Sequence, residues 1–350
     1  MITVPPQLPS SIPTPIAFIG EAPSWDEELK GKPFTGPSGR LFNSLLRSAG
    51  IDREECLVTN VFSEKLPDND VGNWCSNLRD ARAGGFSDLA PIGASGFLQP
   101  AYRHHLDRLK GELEQCQPKV VVPLGGTALW SLTGSSNIGS VRGTVTAATA
   151  LLPGAKLLPT WHPTFVMKQF KFYPVVVGDL QKALQESKRD GIFLPTRELI
   201  LAPTLDQVRD AVPRLLDTDL LSVDIETAWG QITCIGFSPS PEYGICIPFV
   251  DRRNLSRSYW PTAEDEVRAW SYSRYILASD VPKLGQNFGG YDFFWLLEKY
   301  RLAVRNVKED TRLIHHALFA ELPKSLEFMQ GYGTQGAWKY MGKHKEKKDD

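Results

Sequence analysis

The sequence predicts two α/β domains in series, and three observations carry that expectation. The chain has 350 residues, which at roughly 150 residues per domain is enough for two hydrophobic cores. Its first half alternates short apolar runs with amphipathic segments, the strand–turn–helix rhythm of a mostly parallel sheet covered by helices. Its second half opens with an apolar strand and a hairpin and then turns helical, as a mixed sheet with helices would.

In chain order, residues 1–14 carry four prolines and read as an extended lead-in. Ile16-Ala17-Phe18-Ile19 reads as a buried strand ending at Gly20. From Gly39 to Ala49, Leu41, Phe42, Leu45 and Leu46 recur at helical spacing, and Gly50 stops the helix. Cys56 to Phe62 is a second strand. The stretch from 66 to 100 is rich in Gly, Asp, Asn and Ser and reads as an irregular insertion. Leu106 to Gln115 is an amphipathic helix, Lys119 to Leu124 a strand, and Gly125-Gly126 turns into the helix Thr127 to Leu132. A helix from Leu180 to Lys188 closes a domain spanning 15–190, and residues 191–199 form a linker. In the second domain, 200–338, Leu220 to Ile225, Gln231 to Phe237 and Gly244 to Phe249 are strands, the last two joined as a hairpin. Helical segments are expected from Glu264 to Tyr300 and from Thr311 to Phe319. Residues 339–350 form a charged, lysine-rich tail without periodicity.

Composition narrows the function. With 39 Lys+Arg against 40 Asp+Glu the formal charge is −1, so nucleic acid cannot be held by bulk charge. Any such contact must come from local basic patches and shaped sites. The five cysteines are widely spaced and include no C-x-x-C pair, which argues against a disulfide framework and a zinc ribbon. The N-terminus lacks the basic-then-apolar pattern of a signal peptide. No apolar run reaches the ~20 residues of a membrane helix, so the expected setting is a cytoplasm, with no membrane partner.

The most informative segment runs from Gly20-Glu21-Ala22-Pro23 through Glu27 to Gly31-Lys32-Pro33-Phe34-Thr35-Gly36. It leaves the carboxyl end of a parallel-type strand, where α/β sheets place their ligands. Glu21 at the strand tip can orient a water, and Phe34 offers an aromatic face. Asn60 ends the second strand with an amide that can donate and accept in one plane, which suits a pyrimidine edge. His162 sits on a loop fixed by Pro163. The glycine-rich loop taken alone suits a phosphate equally well.

These pieces, with Val58-Thr59-Asn60-Val61, Pro118 to Gly125, Val141-Arg142-Gly143 and Pro159 to Thr164, resemble the uracil-DNA glycosylase superfamily, nearest its family-four branch, in family order over about 15–187. The resemblance implies a three-layer α/β/α domain. It implies a flipped uracil stacked on Phe34 and read by Asn60, water oriented near Glu21 with Glu27, and His162 stabilising the departing base. Family-four enzymes hold an iron–sulfur cluster on four cysteines. Here no cysteine precedes Cys56 and His105 stands at an aligned helix position, so no iron–sulfur cluster is expected. Ser63 to Asn69 also replaces the basic, proline-rich segment that the family carries after the asparagine.

In the second half, Ser222-Val223-Asp224-Ile225-Glu226-Thr227 sits on a strand whose period of two puts Asp224 and Glu226 on one face. Two carboxylates so fixed can hold paired divalent metals for phosphodiester hydrolysis. Gly285 to Asp292 follows, with Asn287 shaping the approach and Asp292 on the first turn of a helix. Glu309-Asp310-Thr311 comes next. Together these resemble the proofreading 3′–5′ exonuclease domain of polymerase I-type bacterial and phage DNA polymerases, over about 200–340. That likeness implies a ribonuclease H-like α/β domain with a mixed sheet, and Asp224, Glu226 and Asp292 as ligands of Mg²⁺ or Mn²⁺. The family's later Tyr-x-x-x-Asp is missing, since neither Tyr332 nor Tyr340 has an Asp four residues on; only His344 and Asp349 fit an alternative spacing.

The expected protein is therefore a DNA-processing enzyme of a phage or bacterial cell. It joins a glycosylase-like domain for uracil-containing DNA to an exonuclease-like domain for single-stranded 3′ ends that lacks its last acidic motif. A polymerase subunit or split-gene partner is the expected companion. The rival reading is a non-catalytic DNA-binding or tethering module of a split or truncated polymerase.

Overall fold

A computed structural model describes residues 2–193, 196–251 and 253–333; His344, Asp349, Tyr340 and the tail 339–350 lie outside them. The described chain divides into two units. The first comprises residues up to 193 together with Glu327–Gly333, and the second runs from 196 to Leu326.

The first unit is built on a five-stranded sheet. Strands β1 (Ile16–Gly20), β2 (Leu57–Asn60), β3 (Val120–Pro123), β4 (Thr146–Ala147) and β5 (Lys156–Leu157) lie in the order β2-β1-β3-β5-β4. All neighbours run parallel except the β4–β5 pair. Every residue of β1 is buried, and its alternation assigns each side chain to a layer. Ile16 and Phe18 enter one core with Phe42, Leu45, Leu46, Val176 and Leu180. Ala17 and Ile19 enter the other with Leu109, Leu113, Ala128 and Leu132. Those residues come from α2 (Pro37–Ala49) and α6 (Tyr173–Glu186) on one face and from α3 (His104–Cys116) and α4 (Gly126–Thr133) on the other. The result is the expected three-layer α/β/α sandwich, and it also contains the short helices α1 (Trp25–Lys30) and α5 (Pro163–Lys168). The lead-in is docked: Gln7 bridges Val58 antiparallel, and the Val4 N–H donates to Ser63 O at 2.8 Å. The 66–100 insertion contains a helix, Leu78–Ala83, and a two-residue strand pair, Cys75–Ser76 with Phe97–Leu98.

The second unit holds a six-stranded mixed sheet. Its strands are β6 (Glu198–Ile200), β7 (Leu221–Ala228), β8 (Gln231–Ser240), β9 (Tyr243–Pro248), β10 (Lys283–Gly285) and β11 (Val307–Asp310), in the order β11-β10-β7-β8-β9-β6. The β7-β8-β9 meander is antiparallel, while β10 and β11 run parallel to β7. This is the ribonuclease H-like arrangement that the sequence led us to expect. Val223 and Ile225 pack into one core with Val208 and Leu215 of α7 (Leu205–Leu216) and Ala269 and Ile276 of α8 (Ala263–Ala278). The stretch expected to be helical from Glu264 to Tyr300 is interrupted. Helix α8 ends at Ala278, β10 and a 3-10 turn at Phe288–Gly290 follow, and the chain re-enters α-helix only at Asp292 in α9 (Asp292–Phe294). Lys283-Leu284-Gly285 is too short to show a strand period, and its pairing with Leu221 and Ser222 decides its state. Helix α10 spans Thr311–Leu318 and α11 spans Leu326–Gly333. No described helix is long and apolar enough to cross a membrane.

Candidate active sites

In the first unit a cavity of about 600 Å³ opens at the carboxyl ends of β1, β2 and β3. Glu21, Glu27, Phe34, Asn60 and His162, five residues singled out from the sequence, all line it. Gly20 makes the closure possible: a Cβ there would stand 2.2 Å from Asn60 Oδ1 and 2.7 Å from Phe34 Cζ. Phe34 has φ 52°, and its carbonyl lies where a side chain on Gly39 would be, 2.0 Å from that Cβ position. The Phe34 ring packs on Phe42 at 4.7 Å and faces the His162 ring at 5.7 Å.

Glu27 is 5% exposed. Its Oε2 accepts from the Ser24 N–H at 2.6 Å and its Oε1 from the Phe34 N–H. Both oxygens are thus committed to backbone, which makes Glu27 the residue that pins the Phe34 loop. Arg53 holds the same loop from behind, donating to Pro33 O at 2.6 Å and Phe34 O at 3.1 Å. Glu21 accepts a hydrogen bond from Thr127 Oγ1, on the first turn of α4.

His162 caps α5, with Nδ1 accepting from the Thr164 N–H at 3.2 Å and 3.0 Å from Thr164 Oγ1. Burial pushes its pKa down to about 4. The imidazole is therefore neutral at pH 7, and because Nδ1 accepts, the proton sits on Nε2. Thr127, Lys168, Leu66 and Asn69 also line the cavity, and sequence reasoning passed over them. Thr127 could have been found from its place just after Gly125-Gly126, at the tip of β3. Leu66 and Asn69 belong to the segment that replaces the family's basic stretch.

In the second unit Asp224 and Glu226 point to the exposed face of β7 while Val223 and Ile225 are buried, as the period of two requires. Among the described residues, the β10 side of β7 has no strand partner beyond Ser222. There Asp292, 3% exposed at the start of α9, accepts the Ile225 N–H at 2.9 Å. The third carboxylate is thereby tied to the backbone at the residue between Asp224 and Glu226. Burial and then the Asp224 charge push Asp292 up to about 6. Burial, joined by the Asp224 charge, also raises Glu226, and burial raises Asp224. Asn287 adopts φ 57°, its N–H donates to Asp310 Oδ1 at 3.0 Å, and its Oδ1 accepts from Arg312 at 2.8 Å. Its left-handed backbone begins the turn that leads into α9.

Hard oxygen donors whose charges oppose one another suit a divalent cation such as Mg²⁺ or Mn²⁺. Among the described residues, though, no group of three or more His, Cys, Asp or Glu is placed so that it could hold a metal ion. The residues at the family's cluster position do not fit iron–sulfur. His105 is fully buried, with Nδ1 3.1 Å from Ser63 Oγ and its ring stacked on Trp74 at 5.4 Å. Cys56 and Cys116 lie in different core layers. Burial pushes the Cys56 and Cys75 thiols up to about 12 and about 11, away from the thiolate a cluster needs.

A three-layer sandwich with a polar cavity at its strand tips defines, for the first unit, a class of small-ligand α/β domains. The Uracil DNA glycosylase superfamily profile matches residues 9–182. The type-4 uracil-DNA glycosylase of Archaeoglobus fulgidus is 31% identical over 173 residues, covering 48% of this chain and 74% of that protein. The chain belongs to the uracil-DNA glycosylase superfamily. A DNA polymerase of Bacillus phage SP01 is 23% identical over 330 residues, covering 86% of this chain. The match spans only 32% of that polymerase. Among solved structures, an EXD2 exonuclease domain soaked in Mn and GMP aligns at 16% identity over 34% of this chain and 58% of its own. Its TM-score is 0.25, too low to bear on fold or activity.

Proposed function

We propose that the first unit excises uracil from DNA, a reading carried by the convergence of Glu21, Phe34, Asn60 and His162 on one cavity. An extruded uracil enters against Phe34 and presents its polar edge to the Asn60 amide. Glu21, held by Thr127, orients a water toward the sugar carbon. As the N-glycosidic bond breaks, its electron pair leaves with the base. The neutral His162 donates Nε2–H to the oxygen where that charge collects. Because the imidazole carries no positive charge of its own, it stabilises the leaving anion by hydrogen bonding alone.

In the second unit the same reasoning supports a 3′–5′ exonuclease of the proofreading type. Asp224, Glu226 and Asp292 would hold Mg²⁺ or Mn²⁺, which would activate water and stabilise the leaving oxygen. DNA is the substrate of both units. The polymerase likeness supports a place beside a DNA polymerase.

The deciding experiment compares binding of uracil-containing and thymine-containing duplexes that are otherwise identical. The wild type should prefer uracil, and Asn60→Ala should remove about 1–3 kcal/mol of that discrimination. Equal wild-type binding to both duplexes would sink uracil recognition and favour the tethering role.

A further inference from the structure

A second cavity, of about 300 Å³, lies on the other side of the Phe34 loop, and Phe34 lines both cavities. Its lining is cationic, with Lys30 from the last turn of α1, Lys32, Arg40 from the first turn of α2, and Arg53. The carboxylate among its lining residues is Glu54, whose contact with Lys32 is long, 3.9 Å, and solvent-exposed. Such a pair neutralises little. Arg53 is committed to the loop carbonyls, but its charge stays in place. Among the described residues the side chains of Lys30 and Arg40 have neither an ion pair nor a hydrogen bond, and both are exposed. Four cations facing one acid make a strongly positive concavity in a chain whose formal charge is −1. Apart from Phe34 the lining offers no ring, so it suits an oxyanion better than a base.

We infer that this cavity binds a backbone phosphate of the DNA strand whose base occupies the neighbouring pocket, with Lys30 and Arg40 as its free donors. The inference rests on the reading of the first unit as a DNA-binding glycosylase. It supplies the local basic site that the charge balance demands of such a protein. Phe34 is the wall common to both cavities, so a seated phosphate and a seated base would hold the same strand on either side of one loop.

The test uses the full chain and a fluorescent single-stranded oligonucleotide without uracil, with affinity measured across a KCl series. Replacing both free cations, Lys30→Gln with Arg40→Gln, should lower affinity several-fold at low salt. It should also reduce the slope of log K against log salt by about 0.7 per lost contact. Lys110→Gln, on the opposite helical layer, should leave both unchanged. A double variant with the wild-type slope and affinity overturns the proposal, as does a wild type that binds no DNA. Inorganic phosphate alone is the second arm. Protection of the Arg40 region by phosphate, with an unchanged DNA slope, would assign the site to free phosphate and equally overturn a DNA contact. Since the oligonucleotide carries no uracil, loss of uracil preference in the wild type would sink the excision reading without moving this slope.

Discussion

Replacing Glu27 by Ala removes the acceptor of two backbone N–H groups at once, those of Ser24 and Phe34. The Phe34 N–H is buried, so leaving it unsatisfied costs about 1–3 kcal/mol. The Ser24 N–H is half-buried and water can replace part of its bond, so about 1 kcal/mol is lost there. The sum, about 2–4 kcal/mol, corresponds to a fall of about 4–16 °C in the melting temperature of a unit this size. Arg53 still holds the carbonyls of Pro33 and Phe34. The loop therefore stays attached, but the ring is no longer fixed over the cavity, and uracil preference should fall along with stability. Glu27→Gln retains one carbonyl acceptor and should lose about half as much. Differential scanning calorimetry of the three proteins, paired with uracil-duplex binding, reads both effects. If the Ala variant melts within 1–2 °C of wild type, on the order of experimental scatter, the carboxylate does not carry the loop.

The remaining predictions concern protonation, metal and iron. His162, with its pKa depressed to about 4 from an ordinary 6.5, contributes stability that is complete above pH 6.5 and is lost as pH falls through 4. Its ring signals in an NMR titration should stay those of neutral imidazole at pH 6, and an imidazolium there would contradict the burial argument. Mn²⁺ should bind the full chain through Asp224 and Glu226 in calorimetric titration. Asp224→Ala should abolish the heat; a variant that binds as well as wild type would remove that carboxylate from the site. Anaerobically purified protein should be colourless and contain no stoichiometric iron, which elemental analysis and a visible spectrum decide.

Much of this could be read from local pattern. Ile16 to Gly20 is an unbroken apolar strand followed by loop formers, so both its place in the sheet and the ligand position at its tip follow from the sequence. Asp224 and Glu226 share a face because strands have a period of two. What stayed hidden depends on contacts distant in sequence. β10 exists because Leu221 and Ser222 offer it a partner, and nothing within three residues announces that. β11 was missed because Lys308, Glu309 and Asp310 suppress its apolar signal. Glu27 read as a candidate for water orientation because sequence shows a carboxylate and not what its oxygens accept. Thr127 is a helix residue until the fold brings Glu21 to it from 106 positions away.

The first unit is assembled from two stretches of chain, and that matters for anyone who cuts it out. Arg142, paired with Asp179 at 2.7 Å, also donates to Phe328 O at 3.0 Å, and Lys182 donates to Gly331 O at 2.9 Å. Phe328 stacks near Trp161, the residue before His162, with ring centres 6.1 Å apart. A fragment ended at the linker would keep the glycosylase motifs but lose these seven residues, and with them one carbonyl acceptor each of Arg142 and Lys182 and one ring neighbour of Trp161. Such a fragment could fail in an excision assay although every pocket residue is present. Dissection should instead excise the second unit from within, bridging residue 193 to Glu327 with a flexible linker, so that the first unit keeps both of its parts.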